Sequence, residues 1–456
     1  MFYKAKVGFL LKKFLEKYLM KMDKSEVVFE AQCVADVGKV FYYQDKVYRS
    51  IARANVQDEI KQLISADFFP SLVESGLIDT KIAELDLIDL RGHLILEHKM
   101  LRAFLHPAEY TNKMFYEGAL TIIHILKILT RNGYVLKDGH SFNITNYGGR
   151  FFFFDFTSIT KSSSISYEWF EEFYKYFAIP IYLASKRQTY ALAKEYRREH
   201  KVGLGLKLAD NKFLKNWIFR ELRKCAKNLN KPILFVNELE AWLLRHPPVE
   251  FGGYWDNYNQ DHSFDIFTPR TVKQRFVYDI LSAQPSRGTL IDLACNQGYY
   301  SFMADHLGYN VVAVDYEEGC LNKAFAQSQG KNISYAHIDF CYPTPSFGIG
   351  NVGPNSIQRF KSDFALALGL IHHICITQRF SVKLFCETCI LYSDKGVIVE
   401  FVFPDDKYVK AWEQAIPEDY NIDSIKRYFQ PSYSMCSLSE VMNDDGVHRQ
   451  FLYFFK

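Results

Sequence analysis

In the second half of the chain, short apolar runs alternate with longer stretches of mixed polarity. The runs are Leu290-Ile291-Asp292-Leu293, Val311-Val312-Ala313-Val314-Asp315, and residues 334–340, 363–373 and 396–402. Near-continuous β-branched runs of this length read as strands buried on both faces, with the segments between them as covering helices. The pattern predicts an α/β fold built on a parallel sheet, with ligands outside the carboxyl ends of the strands. Asp292, Asp315, Asp339, His372 and Glu400 all fall at that edge, although they are scattered in sequence.

The first half alternates differently. Lys39-Val40-Phe41-Tyr42-Tyr43, Gln44-Asp45 and Lys46-Val47-Tyr48-Arg49-Ser50-Ile51 read as a hairpin. Apolar spacing predicts a helix over about 111–132, ending near Gly133. Ile144-Thr145-Asn146, Tyr147-Gly148-Gly149 and Arg150-Phe151-Phe152-Phe153-Phe154 predict a second hairpin, and helical stretches run over 167–244 with a break near Val202-Gly203-Leu204-Gly205. His246-Pro247-Pro248 stops the last helix. The boundary divides the chain into 1–245, an α+β and helical domain, and 246–456, a Rossmann-like domain.

Composition changes this picture little. At 456 residues, two domains are the natural expectation, and 48% apolar residues supply large cores. A net charge of +3 makes no demand for a nucleic-acid partner. Nine scattered cysteines fit a reducing compartment, so a cytoplasmic location is expected. Cys386-x-x-Cys389 is the tightest pair and reads as buried structural thiols rather than zinc ligands. No resident metal site is expected from these cysteines. No apolar run approaches the length of a membrane span. Residues 2–24 interleave lysines with Phe9, Leu10, Phe14 and Leu19, which reads as a basic amphipathic helix packed on its own domain; the alternative is contact with an anionic membrane surface.

The first two runs carry the chemistry. A strand enters a turn of small residues that opens a helix, and about 20 residues later a second strand ends in an acid. This is a nucleoside-binding β-α-β unit, in which Asp315 would accept from ribose hydroxyls. The turn lacks the G-x-G-x-x-G of a dinucleotide site. It reads Asp292-x-Ala294-x-Asn296-x-Gly298, which resembles the D-x-G-x-G-x-G loop of class I methyltransferases with two glycines replaced. Asn is among the few non-glycine residues that tolerate positive φ. The alternative is an ordinary α/β nucleotide fold with another ligand, or none.

With Trp255-x-x-Tyr258, Asp339, the Ala-Leu-Ala-Leu-x-x-x-His-His run ending at His373, and Val399-Glu400-Phe401, the chain resembles class I methyltransferases related to nodulation host-specificity proteins. The resemblance implies S-adenosylmethionine as cofactor, held by Asp292, Ala294, Asn296, Gly298, Asp315 and Asp339. It implies an unidentified methyl acceptor, a glycan or another small molecule. In-line methyl transfer needs alignment and exclusion of water, and a hydroxyl acceptor also needs a base. His372 and His373 are the nearest by position. Trp255 and Tyr258 would cover cofactor or acceptor, or simply pack. The Gly- and Pro-rich segment 342–356 reads as a lid or acceptor loop.

A second constellation lies in the first half. Asp138-x-x-x-x-Asn143 has the spacing of a kinase catalytic loop, and the following hairpin delivers Asp155-Phe156, which resembles the metal-binding pair of a kinase. Helix, loop, hairpin and Asp come in kinase order, so a kinase-like domain is expected, with ATP and Mg2+ left open as ligands of Asp138, Asn143 and Asp155. The glycine-rich loop and the V-A-I-K strand are missing, and Thr157 stands where glycine would follow Phe156. Lys46, Arg49 and Glu97 are stand-ins for the Lys–Glu pair. The sequence thus leaves three readings: a methyltransferase with a kinase-like partner domain, a bifunctional kinase and methyltransferase, and a non-catalytic scaffold whose cofactor loop has decayed.

Overall fold

Five antiparallel strands open the molecule: β1 (Val28–Phe29), β2 (Lys39–Tyr43), β3 (Lys46–Ile51), β4 (Thr80–Ile82) and β5 (Leu94–His98), in the order β1-β2-β3-β5-β4. The computed structural model describes residues 28–29, 38–44, 46–85, 90–199, 220–251, 253, 255 and 268–456. The basic N-terminal segment, Asp45, the break at 202–205 and Tyr258 lie outside the described residues. The predicted hairpin forms, with Lys39 opposite Ser50 and Tyr43 opposite Lys46. Helix α1 (Ala54–Ile64) follows it.

Helix α2 (Asn112–Arg131) occupies the predicted stretch. Thr111 caps it by accepting from the Met114 amide at 3.0 Å, and its buried face runs through Phe115, Ala119, Ile122, Leu126 and Leu129. β6 (Tyr134–Leu136) then pairs with β9 (Ile159–Lys161). Between them stand the Asp138 loop and the hairpin of β7 (Ile144–Tyr147) and β8 (Arg150–Phe153). Helix α3 (Tyr190–Glu199) lies beyond.

The apolar runs of the second half pair into one sheet, in the order β12-β11-β10-β13-β14-β17-β15, with β16 also on β17. β10 (Thr289–Leu293), β11 (Asn310–Asp315), β12 (Ile333–His337), β13 (Ser362–Ala367) and β14 (Ser393–Val402) are parallel. Helices α4 (Val272–Ser282), α5 (Tyr299–His306), α6 (Glu318–Ala326) and α7 (Val382–Leu391) accompany them. Chain order reverses between β10 and β13, which leaves a crevice at their carboxyl ends.

Three details depart from the sequence reading. β13 stops at Ala367, because Gly369 turns the backbone at φ 63° and residues 371–377 coil helically, so the paired histidines begin a helical turn. β12 ends at His337, two residues before Asp339. The sheet is also completed by an antiparallel edge, β15 (Met435–Leu438), β16 (Met442–Asp444) and β17 (Val447–Phe455). Cys386 and Cys389 are buried thiols on α7, as expected, and no metal-ligating cluster occurs among the described residues. No helix among those residues is long and apolar enough to cross a membrane.

The two halves are fastened at the outer edge of β12. Gly148 donates to the Ile333 carbonyl at 2.8 Å, and Tyr147 donates to Asn332 Oδ1 at 3.0 Å. Ser334 Oγ donates to the Asn146 carbonyl at 3.1 Å. The β7–β8 hairpin thus covers an edge that would otherwise offer unpaired backbone groups. A buried ion pair of Arg359 with Glu109 joins the halves a second time.

Candidate functional site

The loop after β10 is shaped by three left-handed residues. Ala294, Asn296 and Gly298 have φ of 74°, 51° and 84°. These are the three positions that align with the glycines of the motif, so the replacements keep the glycine-type backbone. The Ala294 and Cys295 amides both donate to the Val314 carbonyl at 2.9 Å, tying the loop to the end of β11. The Asn296 amide donates to Asp315 Oδ2 at 2.7 Å and the Glu317 amide to Oδ1 at 2.8 Å. These backbone donors fix the orientation of the Asp315 carboxyl at the end of β11. Asp292 lies beneath the loop and accepts from Ser301 Oγ at 2.7 Å.

Both carboxyls are buried, and burial pushes each up to about 6. A ligand that donates hydrogen bonds to Asp315 would favour its charged form. Asp339 turns back on its own chain, accepting from the Cys341 amide at 2.8 Å. Trp255 donates through its indole to the Tyr316 hydroxyl at 3.0 Å, so the residue after Asp315 and the residue before the sheet meet across the crevice.

His373 packs edge-on against Trp255, with ring centroids 5.5 Å apart. His372 lies flat against Trp412 at 5.5 Å and 6°, and Trp412 also touches His373 at 5.1 Å. Burial holds His373 down to about 4 and His372 well below its usual value, so both imidazoles are neutral near pH 7. His372 is buried and its Nδ1 has no hydrogen-bond partner among the described residues. Glu400, on β14, is fully buried between Lys273 at 2.6 Å and Arg449 at 2.8 Å, and these two cations hold its carboxyl down to about 2 despite burial. Lys273 also lies 5.1 Å over the Tyr300 ring. Trp412, Lys273 and Arg449 gave no signal in sequence, because they come from separate segments and match no motif.

Segment 342–356 is an irregular loop with one 3-10 turn. Phe347 anchors it against His106 at 5.2 Å, while Ile349, between Gly348 and Gly350 in left-handed conformations, is 96% exposed.

In the first half, Asp138 and Asp155 face each other, and burial together with the Asp155 charge raises the Asp138 carboxyl. Asp155 accepts from Thr157 Oγ1 at 2.9 Å, and Arg49 Nη1 lies 3.7 Å from Asp155 Oδ1 while donating to Thr157 at 2.8 Å. Asn143 is buried, and its backbone carbonyl accepts from the Phe154 amide, one residue before Asp155, at 3.0 Å. Lys46 and Glu97 form a Lys–Glu pair at 3.2 Å, which Glu97 shares with Lys81 at 3.3 Å. Of the three stand-ins, Arg49 alone reaches the Asp155 pocket.

No family model matches the chain. The nodulation protein NoeA of Rhizobium meliloti (strain 1021) is 25% identical over 430 residues, covering 84% of this chain and 87% of that protein. Among solved structures, the magnesium protoporphyrin IX methyltransferase ChlM from Synechocystis PCC 6803 with bound SAH is 12% identical, with a TM-score of 0.31 over 44% of this chain and 93% of that one. The bifunctional kinase-methyltransferase WbdD is 16% identical, with a TM-score of 0.31 over 45% of this chain and 43% of that one. Likenesses of this degree decide neither activity nor substrate.

Proposed function

We propose that the protein is an S-adenosylmethionine-dependent methyltransferase. The observation that carries this is the Ala294–Gly298 loop, whose three left-handed residues bring backbone close to the helix N-terminus while its Asn296 amide orients the Asp315 carboxyl. Asp315 would take the ribose hydroxyls, and Asp339 would lie toward the adenine. Ala294, Asn296 and Gly298 would leave room for the rest of the cofactor above Asp292. When bound, the sulfonium supplies an electrophilic methyl group. His373, neutral and beside Trp255, is the better placed of the two histidines to take a proton from a hydroxyl acceptor; His372 is packed behind it on Trp412. The acceptor is a glycan or another small molecule, in keeping with the resemblance to nodulation proteins. Calorimetric titration with S-adenosylmethionine tests the reading: micromolar binding by the wild type, abolished by Asp315→Ala, supports it, and no binding by folded wild type rejects it.

A second reading, that the protein also transfers phosphoryl groups, is favoured by the facing carboxyls of Asp138 and Asp155 with Arg49 at their side. It requires ATP to bind in the presence of Mg2+ and that binding to be lost in Asp155→Asn.

A further inference from the structure

The halves also meet at the cofactor edge. From α3, Lys194 reaches across to the carboxyl end of β12. Its Nζ donates to the His337 carbonyl at 3.0 Å and lies 3.2 Å from His337 Nδ1. An ammonium group has donors only, so Nδ1 accepts and the ring proton sits on Nε2. His337 Nε2 is 2.8 Å from the Tyr316 carbonyl and therefore donates to it. Burial and the Lys194 charge push His337 down to about 3, which keeps the ring neutral and this tautomer in place.

Tyr316 follows Asp315 directly. A continuous line of hydrogen bonds thus runs from a helix of the first half, through one imidazole, to the backbone beside the acid that would hold the ribose. A second tie holds the same helix in place: Tyr190, four residues before Lys194, donates to Glu318 at the start of α6. Thr111, at the cap of α2, donates to Asn322 on the same helix at 2.6 Å. Charges around Lys194 come from Glu318 on α6 and from Glu195, Arg197 and Arg198 on its own helix.

We infer that Lys194 is a positioning residue for the adenosine end of the cofactor: it fixes the His337 tautomer, and His337 in turn holds Tyr316 beside Asp315. This rests on the methyltransferase reading and extends it, because residues of the first half become part of the cofactor site.

The test is titration of the full chain with S-adenosylmethionine and, separately, with adenosine, using wild type, Asp315→Ala, Lys194→Met, Lys194→Arg and His337→Phe, with a melting curve for each. Lys194→Met is expected to weaken both ligands about tenfold, the worth of one charge-assisted hydrogen bond. Lys194→Arg, which restores the donors, should recover most of that loss, whereas a merely structural defect would follow the melting temperature instead. If Lys194→Met does not fold, His337→Phe carries the same expectation. Wild-type binding that Asp315→Ala abolishes but Lys194→Met and His337→Phe leave unchanged overturns the inference alone. Absence of binding by folded wild type overturns the methyltransferase reading and this inference with it.

Discussion

Asn146 meets Tyr335 as a neighbouring strand would. Its Oδ1 accepts from the Tyr335 amide at 2.7 Å and its Nδ2 donates to the Tyr335 carbonyl at 2.8 Å. One side chain thus satisfies both backbone groups of a fully buried edge residue. Asn146→Ala leaves both without partners, so a loss of about 2–4 kcal/mol in unfolding free energy is expected. Asn146→Asp retains the acceptor but not the donor and should also destabilise. Denaturant titration checks both; a change under about 0.5 kcal/mol, the range of an ordinary surface substitution, would show that the contact is not needed.

Gly148 gives an independent probe of the same junction. Its φ is 60°, and an added Cβ would lie 2.7 Å from the Lys331 carbonyl oxygen. Gly148→Ala should therefore lower the thermal midpoint, whereas the same change at Gly330, whose Cβ would meet nothing nearby but whose φ is also positive, should cost only its backbone strain, about 1 kcal/mol.

Ala294 occupies left-handed backbone that glycine adopts freely. Ala294→Gly relieves that strain at some cost in unfolded-chain entropy, so a net gain of about 0.5–1 kcal/mol is expected, with cofactor binding retained. Destabilisation would mean that packing of the Ala294 methyl outweighs the strain.

Asp315 makes cofactor affinity depend on pH. Its folded-state value is about 6, above the 3.8 of a free carboxyl, so protonation at lower pH removes the charged acceptor that ribose hydroxyls require. Affinity for S-adenosylmethionine should be level above pH 7 and fall about tenfold per unit well below pH 6. In the unliganded protein the sign is opposite. The raised value means that the contribution of Asp315 to stability is full below about pH 4 and lost as pH rises through 6. Calorimetry from pH 5 to 8 reads the first trend, and melting curves from below pH 4 to above pH 6 read the second.

Glu400 behaves in the reverse sense. Held at about 2 between Lys273 and Arg449, its contribution is present above the unfolded value of 4.5 and lost only as pH falls toward 2. Glu400→Gln leaves Lys273 without its carboxylate and Arg449 with Asp406 alone, and should cost about 3 kcal/mol. If stability is unchanged, the ion triad is dispensable.

Much of this was legible because local chemistry and global fold agree. The five parallel strands announce themselves as short apolar runs, and Asn296 signals positive φ by its residue type. Gly148-Gly149 announces a hairpin. What escaped depends on distance along the chain. The antiparallel strands β15 and β16 are too exposed to stand out as buried runs, and β17, although its Phe451–Phe455 run is apolar, follows no helical segment that would mark it as part of the alternating pattern. Lys194 and His337 are 143 residues apart, and Arg49 and Asp155 more than 100, so no spacing rule pairs them. Glu400 was visible at the strand end, but its cations were not, since Lys273 lies on α4 and Arg449 on β17. Arg49 rather than Lys46 reaches Asp155 because the two are three residues apart on β3 and so face opposite sides of the sheet, where Lys46 meets Glu97.

The hairpin that covers β12 has a consequence for biosynthesis. The ribosome delivers residues 144–153 well before residues 333–337. When the parallel sheet assembles during translation, its outer strand emerges into a chain that already holds the matching cover. The outer strand therefore has a partner waiting within the same molecule, and neighbouring chains on a polysome find no open ladder at that edge to join.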